Sequence, residues 1–314
     1  MIRIEHLTKS FGRKVAVDDL SFSVERGEVL GFLGPNGAGK STTMRMITGF
    51  LPPTAGQISV GGHDVVTAAL QAKRLIGYLP ENAASYPDMS VQGFLGFVAE
   101  LRGLSGSARK KAVHRVVELC FLESVLDQQI DTLSKGYRHR TCLAQSLIHD
   151  PEVLIMDEPT DGLDPNQKHE VRNLIREMGR TKAVIFSTHI LEEVDAACSR
   201  AIIIDRGRIV ANGTPAELKA LSQFAGAVTL RVSGLGADAV RERLSSLPEA
   251  ARAEVIDAGV RVFPQQAAAG MSLARAVMEL ATREAWQVEH LHTDEGQLDE
   301  VFRRITLPDT VKKS

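Results

Sequence analysis

A glycine-rich segment constrains the fold of this chain more than any other stretch: GPNGAGKST at residues 34–42. It follows the apolar run EVLGFL and precedes the helical pattern STTMRMITGF, so a strand must lead into a loop that opens a helix. Glycines allow successive backbone N–H groups to turn inward around phosphate oxygens, and a helix N-terminus adds the positive end of its dipole. The spacing G-x-x-x-x-G-K-[ST] in this setting predicts a loop that binds the phosphates of a nucleotide.

The side chains of this loop carry the predicted chemistry. Lys40 would place a positive charge on the β- and γ-phosphates, and the Ser41 hydroxyl can ligate Mg²⁺. A plain glycine-rich turn is the alternative, but the strand–loop–helix setting argues against it. The candidate nucleotide-binding residues of the loop are therefore Gly34, Pro35, Asn36, Gly37, Ala38, Gly39, Lys40, Ser41 and Thr42.

A second candidate segment is VLIMDEP at residues 153–159. Its apolar run predicts a buried strand that delivers Asp157 to the carboxyl end, where open α/β sheets bind ligands. Two adjacent carboxylates after buried residues are costly unless a cation or a partner is present. We therefore interpret Asp157 as a Mg²⁺ ligand and Glu158 as the candidate general base for water. Two acidic residues after a strand are a weak indication of a nucleotide site by themselves. In a chain that also has a phosphate loop, they are a strong one.

The order of predicted elements places both segments in one α/β domain. Strands separated by helices favour βαβ units, a parallel sheet and a three-layer fold. About residues 84–147 show helical apolar spacing and no strand pattern, which predicts a helical insert. The predicted fold class of residues 1–217 is therefore a P-loop NTPase domain with a RecA-like core, interrupted by that helical subdomain.

Residues 218–314 predict a second domain of a different class. Their elements follow the order β-α-β-β-α-β with a terminal helix, including a hairpin across Ala258–Gly259. This order is the split-βαβ, ferredoxin-like pattern of a small α+β domain. Because it carries no phosphate loop and no clustered catalytic residue types, we interpret it as an accessory or dimerisation domain.

Composition excludes several classes of protein. The net charge is −2, without the strong basic excess typical of nucleic-acid-binding domains, so we predict no nucleic-acid partner. Apolar runs such as VLIM at 153–156 are far shorter than the roughly 18 residues that span a bilayer. The N-terminal stretch has no apolar signal-peptide core. The three cysteines lack metal-ligand spacing, which favours reduced thiols in a cytosolic protein.

A further segment, LSKGYRHR at residues 133–140, fits none of these patterns and has no obvious partner nearby in the chain. This segment resembles the signature loop of ABC transporter nucleotide-binding subunits. Together with the phosphate loop, VLIMDEP and STH at 187–189, it gives a resemblance to that family over about residues 1–216. In that family the loop, usually Leu-Ser-Gly-Gly-Gln, faces the nucleotide bound by a second subunit in a head-to-tail dimer. The resemblance implies ATP and Mg²⁺ as cofactors, with Ser134 and Gly136 contacting the γ-phosphate of the partner's ATP.

Other positions carry over from the family one at a time. Phe11 in KSFG resembles the aromatic residue that stacks on adenine, with a core phenylalanine as the alternative. Glu81 in GYLPEN occupies a loop near Mg²⁺, and Asp164 in DGLDP resembles the acid that links the two sites of the dimer. His189 resembles the switch histidine that contacts the γ-phosphate. The candidate catalytic residues are Lys40, Glu158 and His189, and the candidate metal ligands are Ser41, Glu81 and Asp157.

The chain departs from the family pattern at a few positions. Lys135 and Tyr137 replace the usual Gly and Gln of the signature, and Asp161 stands where Ser is common before Gly162. Glu81 replaces the usual Gln; a carboxylate can still ligate metal or orient water, but it cannot donate a hydrogen bond unless protonated. None of these changes removes a candidate catalytic residue, so we expect hydrolysis to survive.

The segments GYLPEN, LSKGYRHR, DGLDPNQ and GQLDEVFRRIT together are similar to ATPases of ABC-2-type exporters, and within them to gliding-motility-type subunits. The resemblance implies a peripheral ATPase on the cytoplasmic face of the inner membrane. Its partners would be a separately encoded transmembrane permease and a second copy of the chain. A soluble ABC ATPase of translation or DNA repair, and a nucleotide-gated regulatory protein, are the alternatives. The single phosphate loop and short insert argue against the first, and Glu158 and His189 argue against the second.

Overall fold

The computed structural model of the protein describes residues 1–82, 84–257, 259–266 and 270–306. The chain divides into two compact units, unit 1 (Met1–Asn212) and unit 2 (Gly213–Ser314). Each unit has its own hydrophobic core. Within the described ranges, no helix has the length and hydropathy needed to cross a lipid bilayer.

Unit 1 combines two sheets with helices. Its described strands are β1 (Ile2–Phe11), β2 (Lys14–Val24), β3 (Val29–Leu33), β4 (Ala55–Val60), β5 (His63–Asp64), β6 (Ile76–Leu79), β7 (Val153–Asp157), β8 (Ala183–Thr188), β9 (Arg200–Asp205) and β10 (Arg208–Gly213). Its described helices are α1 (Lys40–Ile47), α2 (Ala69–Leu75), α3 (Val91–Leu101), α4 (Gly106–Leu119), α5 (Lys135–Leu147), α6 (Pro165–Gly179) and α7 (Leu191–Ala197). A four-stranded sheet has the order β2-β1-β4-β5, and a six-stranded sheet has the order β10-β9-β3-β8-β7-β6.

The six-stranded sheet is parallel from β9 to β6, as the strand–helix alternation predicts. Every residue of β3, β7 and β8 is buried. Such strands are nearly continuous apolar runs because a parallel sheet is covered on both faces. The prediction of a three-layer α/β fold for this part of the chain is confirmed.

Each face of this sheet packs against a different core. Successive strand residues point to opposite faces, so Leu154 and Ile155 belong to different clusters. Ile155 packs with Phe32 and with the elements of the four-stranded sheet and α1. Leu154 packs with Phe186 and with the helices α3 to α6. The sheet is thereby held rigid between two layers, and its carboxyl edge is left for loops.

A helical insert separates β6 from β7, as predicted. The described residues between these strands form α3, α4 and α5 with two short 3₁₀ turns, and no strand. Ser90 caps α3 by accepting a hydrogen bond from the Gly93 N–H at 3.1 Å, and Ser134 caps α5 in the same way. Helix α2 was not predicted, because only Ala72 of its residues is buried and the apolar spacing is correspondingly weak.

Unit 2 is a small α+β unit. Its described elements are α8 (Pro215–Ala220), β11 (Val228–Ser233), α9 (Ala237–Ser245), β12 (Ala250–Ile256), β13 (Gly259–Pro264), α10 (Gly270–Arg283), β14 (Gln287–Thr293) and α11 (Leu298–Ile305). The sheet order is β12-β13-β11-β14 with antiparallel neighbours, which is the ferredoxin-like arrangement. The predicted hairpin includes Ala258, which lies outside the described residues. The boundary predicted between residues 217 and 218 falls within α8 and stays a prediction.

Candidate functional site

A cavity of about 520 Å³ opens in unit 1 beside the carboxyl ends of β3, β7 and β8. This size is typical of pockets for small ligands. Lys14, Ala16 and Asp161 line it and were not among the predicted site residues. The predicted residues that line it are Phe11, Asn36, Gly37, Gly39, Lys40, Ser41, Thr42, Glu81, Glu158 and His189. The structure thus gathers at one sheet edge residues that are widely separated in the sequence.

The glycine-rich loop requires glycine at positions where the backbone passes close to its neighbours. Gly39 has a φ of 111°, and a side chain there would meet the Ala16 carbonyl oxygen at 2.6 Å. A side chain at Gly34 would collide with the carbonyl oxygen of Ile204. The loop is held by a further bond, in which the Gly207 N–H donates to the Ala38 carbonyl at 2.8 Å. The loop conformation is therefore fixed by the strand ends around it.

Lys40 stands at the first position of α1 and points its ammonium into the loop. Its Nζ donates to the Gly34 carbonyl at 2.7 Å and lies 4.0 Å from Oε1 of Glu158. Burial lowers the pKa of Lys40, and the carboxylates of Glu158, Asp157 and Glu81 act in the opposite direction. An ammonium with so little water around it interacts strongly with any anion that enters the cavity.

Asp157 and Glu158 occupy different environments although they are adjacent. Asp157 ends β7, is 1% exposed and accepts a hydrogen bond from the Ser187 hydroxyl. The same hydroxyl accepts from the Glu158 N–H at 3.1 Å. Ser187 of β8 therefore fixes both acidic residues, a role that the sequence did not reveal.

The Glu158 carboxylate meets His189 across the cavity. The Nδ1 of His189 lies 2.8 Å from Oε2 of Glu158 and donates to it. Burial raises the pKa of Glu158, against the opposing effects of His189 and Lys40. Glu158 also has a φ of 53°, a left-handed conformation that is rare for residues other than glycine and clusters at functional sites. A half-buried carboxylate with a raised pKa, held by an imidazole, can accept a proton from water at neutral pH.

A buried glutamate that was not among the predicted site residues connects the loops that follow β7 and β8. Glu193 in α7 is 1% exposed and accepts hydrogen bonds from the hydroxyls of Thr160 and Thr188. Thr160 follows Glu158 by two residues, and Thr188 precedes His189. A buried carboxylate is held only when its oxygens are bonded, so this arrangement fixes the relative positions of the two loops. The polar residues directly after buried strands were the available signal.

Phe11 lies at the mouth of the cavity, half exposed, at the end of β1. That exposure argues against the alternative of a core phenylalanine. Lys14 and Ala16 line the same wall, just beyond the turn that follows Phe11. Their position next to a predicted base-stacking residue was a signal that could have identified them. The stacking role of Phe11 itself stays a prediction.

Ser134, Gly136 and Asp164 are not among the described residues that line this cavity. Ser134 is exposed and caps α5 by accepting from the Tyr137 N–H at 3.3 Å. A side chain at Gly136 would meet Oε1 of Gln167 at 2.6 Å. Asp164 caps α6 by accepting from the Gln167 N–H at 2.9 Å. The predicted roles of these three residues toward a second subunit stay predictions.

The candidate metal ligands Ser41, Glu81 and Asp157 suit Mg²⁺ bound together with a nucleotide. Ser41 and Glu81 line the cavity, and Asp157 lies buried behind it. Within the described part of the chain, no cluster of three or more His, Cys, Asp or Glu side chains could hold a metal ion by itself. Mg²⁺ is usually bound through one or two carboxylates together with phosphate oxygens and water, and the oxygen donors present here fit that mode.

Comparison with known proteins shows which sequences this chain is similar to. The family model described as "ABC transporter" matches residues 17–161. The linearmycin resistance ATP-binding protein LnrL of Bacillus subtilis is 38% identical over 238 residues, which cover 75% of this chain and 76% of that protein. The Nod factor export ATP-binding protein I of Ralstonia nicotianae is 34% identical over 307 residues, which cover 98% of this chain and 94% of that protein.

A solved structure, described as the ATP binding subunit of an ABC transporter, has the same fold. It superposes with a TM-score of 0.65 at 28% sequence identity. The match covers 70% of this chain and 92% of the other. The solved structure agrees with the α/β fold found for unit 1.

Proposed function

Because the chain belongs to the ABC transporter family as an ATP-binding subunit, we propose that it is the ATP-hydrolysing motor of an ABC-2-type exporter. A pair of such subunits closes around ATP, and the closure moves a separately encoded transmembrane permease. The observation that carries this proposal is the meeting of three groups at one cavity: Lys40 lies 4.0 Å from Glu158, and Glu158 lies 2.8 Å from His189.

The chain's own residues act by positioning and by electrostatics. The buried Lys40 ammonium offsets the negative charge of the β- and γ-phosphates. Glu158 orients the attacking water or takes its proton, and its raised pKa matches this task better than that of an exposed glutamate. His189, on the cavity side of Glu158, keeps the carboxylate in place and faces the γ-phosphate. Together these residues would surround a bound phosphoryl group with a base, a cation and a hydrogen-bond donor.

Mg²⁺ would be held by Ser41 and Asp157, with Glu81 as a further oxygen donor. When bound, the ion neutralises charge that develops on the phosphate oxygens. Ser187 keeps the Asp157 carboxylate oriented for this role by donating to it. Glu81 accepts but does not donate hydrogen bonds while ionised, so its role is restricted to ligation or to accepting from water.

The exposed N-terminus of α5 supplies the other half of each site. Ser134 and the Gly136 backbone would contact the γ-phosphate bound by the second subunit, where backbone N–H groups and the helix dipole favour an anion. Neither Ser134 nor Gly136 is among the described residues that line the cavity of their own chain, which supports the head-to-tail arrangement. A homodimer is the simplest pairing.

The relatives support the direction of transport. LnrL is named for linearmycin resistance and its Ralstonia counterpart for Nod factor export. We therefore infer an exporter whose ATPase lies peripherally on the cytoplasmic face of the inner membrane. The helical insert and the Glu81 loop would receive a cytoplasmic helix of the permease. Recovery of the chain with membranes that contain the permease, and its release from membranes that lack it, is the expected result.

Phosphate release by the purified chain tests the catalytic assignment. Wild type is compared with Glu158→Gln and with Glu177→Gln, which alters an exposed glutamate on α6. We expect Glu158→Gln to lower kcat by on the order of 10²- to 10⁴-fold with ATP binding retained, and Glu177→Gln to resemble wild type. Wild type that binds ATP without turnover would favour a nucleotide-gated regulator instead. Equal rates for wild type and Glu158→Gln would remove Glu158 as the base.

Residues 218–314 contribute contacts between subunits in this proposal. Their sheet carries polar residues along its strands, and no residue of unit 2 is among the described residues that line the cavity. A chain ending at residue 217 should dimerise more weakly than the full chain. Unchanged dimerisation and an unchanged ATPase rate would refute this role.

A further inference from the structure

Two residues that depart from the family pattern are partners of each other in the structure. Nζ of Lys135 lies 3.1 Å from Oδ2 of Asp161, although 26 positions separate the residues in the sequence. Lys135 is the first residue of α5, next to Ser134, and Asp161 lines the nucleotide cavity. One ion pair therefore joins the segment that faces the partner's ATP to the rim of the chain's own site.

The lysine side chain also fits against the glycine that follows Asp161. Gly162 has a φ of 68°, a conformation that favours glycine. A Cβ at Gly162 would collide with Cδ, Cε and Nζ of Lys135. The stem of the lysine therefore lies directly across the Gly162 backbone, so that the contact extends along the side chain and is not confined to its charged end.

Further contacts join α5 to α6 below this pair. The space beside Gly136 is filled by the side chain of Gln167. One turn further along, Nη2 of Arg140 lies 2.6 Å from Oε2 of Glu170, with the guanidinium largely buried. Of these contacts between α5 and the segment that follows Glu158, the one between Lys135 and Asp161 is the nearest to the start of α5.

Asp161 is connected in turn to the general base. Its backbone N–H donates to the Glu158 carbonyl at 3.1 Å, which closes the turn in which Glu158 holds its left-handed conformation. Its carboxylate adds to the negative charge of a cavity that already contains Glu81 and Glu158. Lys135 offsets that charge, and Asp161 in return offsets a cation at a helix N-terminus, where the dipole disfavours it.

We propose that Lys135 and Asp161 form a positioning pair that holds the start of α5 and the turn after Glu158 as one unit, so that the two ATP sites of the dimer are coupled within each chain. The inference rests on the proposed function, since only a dimer gives the start of α5 a nucleotide to contact. Both side chains are accessible, at 65% and 58% exposure, so the pair can be altered without disturbing the core.

A double-mutant cycle on ATP hydrolysis by the full chain tests the pair. The variants are Lys135→Ala, Asp161→Ala, the double variant, and the conservative Lys135→Arg. Arg180→Ala with Glu177→Ala is the matched control, an ion pair of 70% and 55% exposure at the C-terminal end of α6. We expect each single variant to lower kcat about two- to five-fold, in proportion to an exposed ion pair. The double variant should be no worse than either single one, and Lys135→Arg should recover most of the rate. Effects that simply multiply would overturn the proposal.

Hydrogen exchange in the nucleotide-free chain provides a readout that does not depend on turnover. The amides of Tyr137 and Arg138 are bonded to Ser134 in the first turn of α5. Asp161→Ala should raise their exchange rates about two- to five-fold, and Lys135→Ala should do the same for the Asp161 amide. The control variants should change neither segment. Absence of this reciprocal change refutes the pair, whereas a wild type without ATPase activity refutes the proposed function and leaves the exchange result to decide on the pair.

Discussion

The two sheets at the centres of units 1 and 2 place their polar residues differently. In unit 1, every residue of β3, β7 and β8 is buried, because helices or a second sheet cover both faces. In unit 2, β12 and β14 have half-buried residues interleaved with exposed ones, as expected of a sheet with one face in water.

This difference decides where chemistry can occur. In β3, β7 and β8 of unit 1, polar side chains are confined to the strand ends, where Asp157 closes β7 and Ser187 and Thr188 close β8. In unit 2 they lie along the strands in water, as in the pair of Arg231 and Glu289 at 3.7 Å. Convergent polar groups at a rigid edge can perturb one another, whereas solvated groups spread along a strand cannot. The comparison therefore assigns the reaction to unit 1.

The largest expected effect on ATP hydrolysis comes from a substitution in the cavity beside the carboxyl ends of β3, β7 and β8. Lys40→Met removes the buried ammonium but keeps the length of the side chain, and should lower ATP hydrolysis on the order of 10²-fold or more. Phosphate release and ATP binding measure the loss. Lys73→Met on α2 is the control, since that lysine is exposed. If Lys40→Met retains wild-type turnover, the cavity is not the reaction site.

The next largest effect is expected from a substitution in the core of unit 2, which should lower stability without affecting ATP binding. Leu230 is fully buried in β11, and Leu230→Ala should destabilise unit 2 by about 2–5 kcal/mol through loss of contacts and an unfilled cavity. Thermal unfolding and hydrogen exchange of β13 and β14 would detect this. ATP affinity should be unchanged, because the cavity lining lies in unit 1. Leu235→Ala, at a 45% exposed position, is the matched control. A parallel loss of ATP affinity would break the comparison.

A smaller effect is expected from the hydroxyl that supports the acidic pair. Ser187→Ala leaves Asp157 without its donor and takes away one acceptor of the Glu158 N–H. The cost should be about 1–3 kcal/mol, seen as a lower kcat with little change in KM for ATP. Ser146→Ala is the control, since that buried hydroxyl donates to the Leu143 carbonyl of its own helix. Equal effects of the two variants would mean that Ser187 is merely structural.

The smallest effect concerns pH and a residue remote from the cavity. Burial lowers the pKa of His149 to about 4, helped by the charge of Arg102 and opposed by a hydrogen bond to the Ile76 carbonyl. Between about pH 6.5 and 4 the unfolded chain takes up a proton that the folded chain does not, so stability is lost as pH falls through this window. His149→Gln should reduce the stability lost across this window by about 0.5–2 kcal/mol, because His149 is only partly buried and solvent screens part of the effect. Denaturant unfolding at several pH values tests this, and an unchanged slope in the variant would contradict it.

The sequence predicted the parts of the fold and site that depend on local patterns. Buried apolar runs indicate parallel strands, and residues immediately after them, such as Asp157 and His189, must lie at one sheet edge. The phosphate-loop motif located Lys40 and Ser41, because its spacing fixes the positions of the lysine and the hydroxyl residue. The ferredoxin-like order of unit 2 followed from the alternation of strand and helix patterns.

The interactions that the sequence did not predict join residues far apart in the chain. Ser187 and Asp157 are separated by 30 positions, and Lys135 and Asp161 by 26. Such pairs become visible only when the order of strands in the sheet and the packing of α5 on α6 are known. The left-handed backbone of Glu158 was equally hidden, because glutamate has no preference for it and the surrounding bonds impose it.

The central claim is that each ATP site combines the phosphate loop of one chain with the start of α5 of another. Mixing two inactive variants tests this claim most directly. Lys40→Met inactivates the first half of a site, and Ser134→Arg blocks the second. The account predicts that each variant alone is inactive and that their mixture hydrolyses ATP, because one site of the mixed dimer has both halves intact. A mixture as inactive as its components, with mixed dimers shown to form, would contradict the shared site.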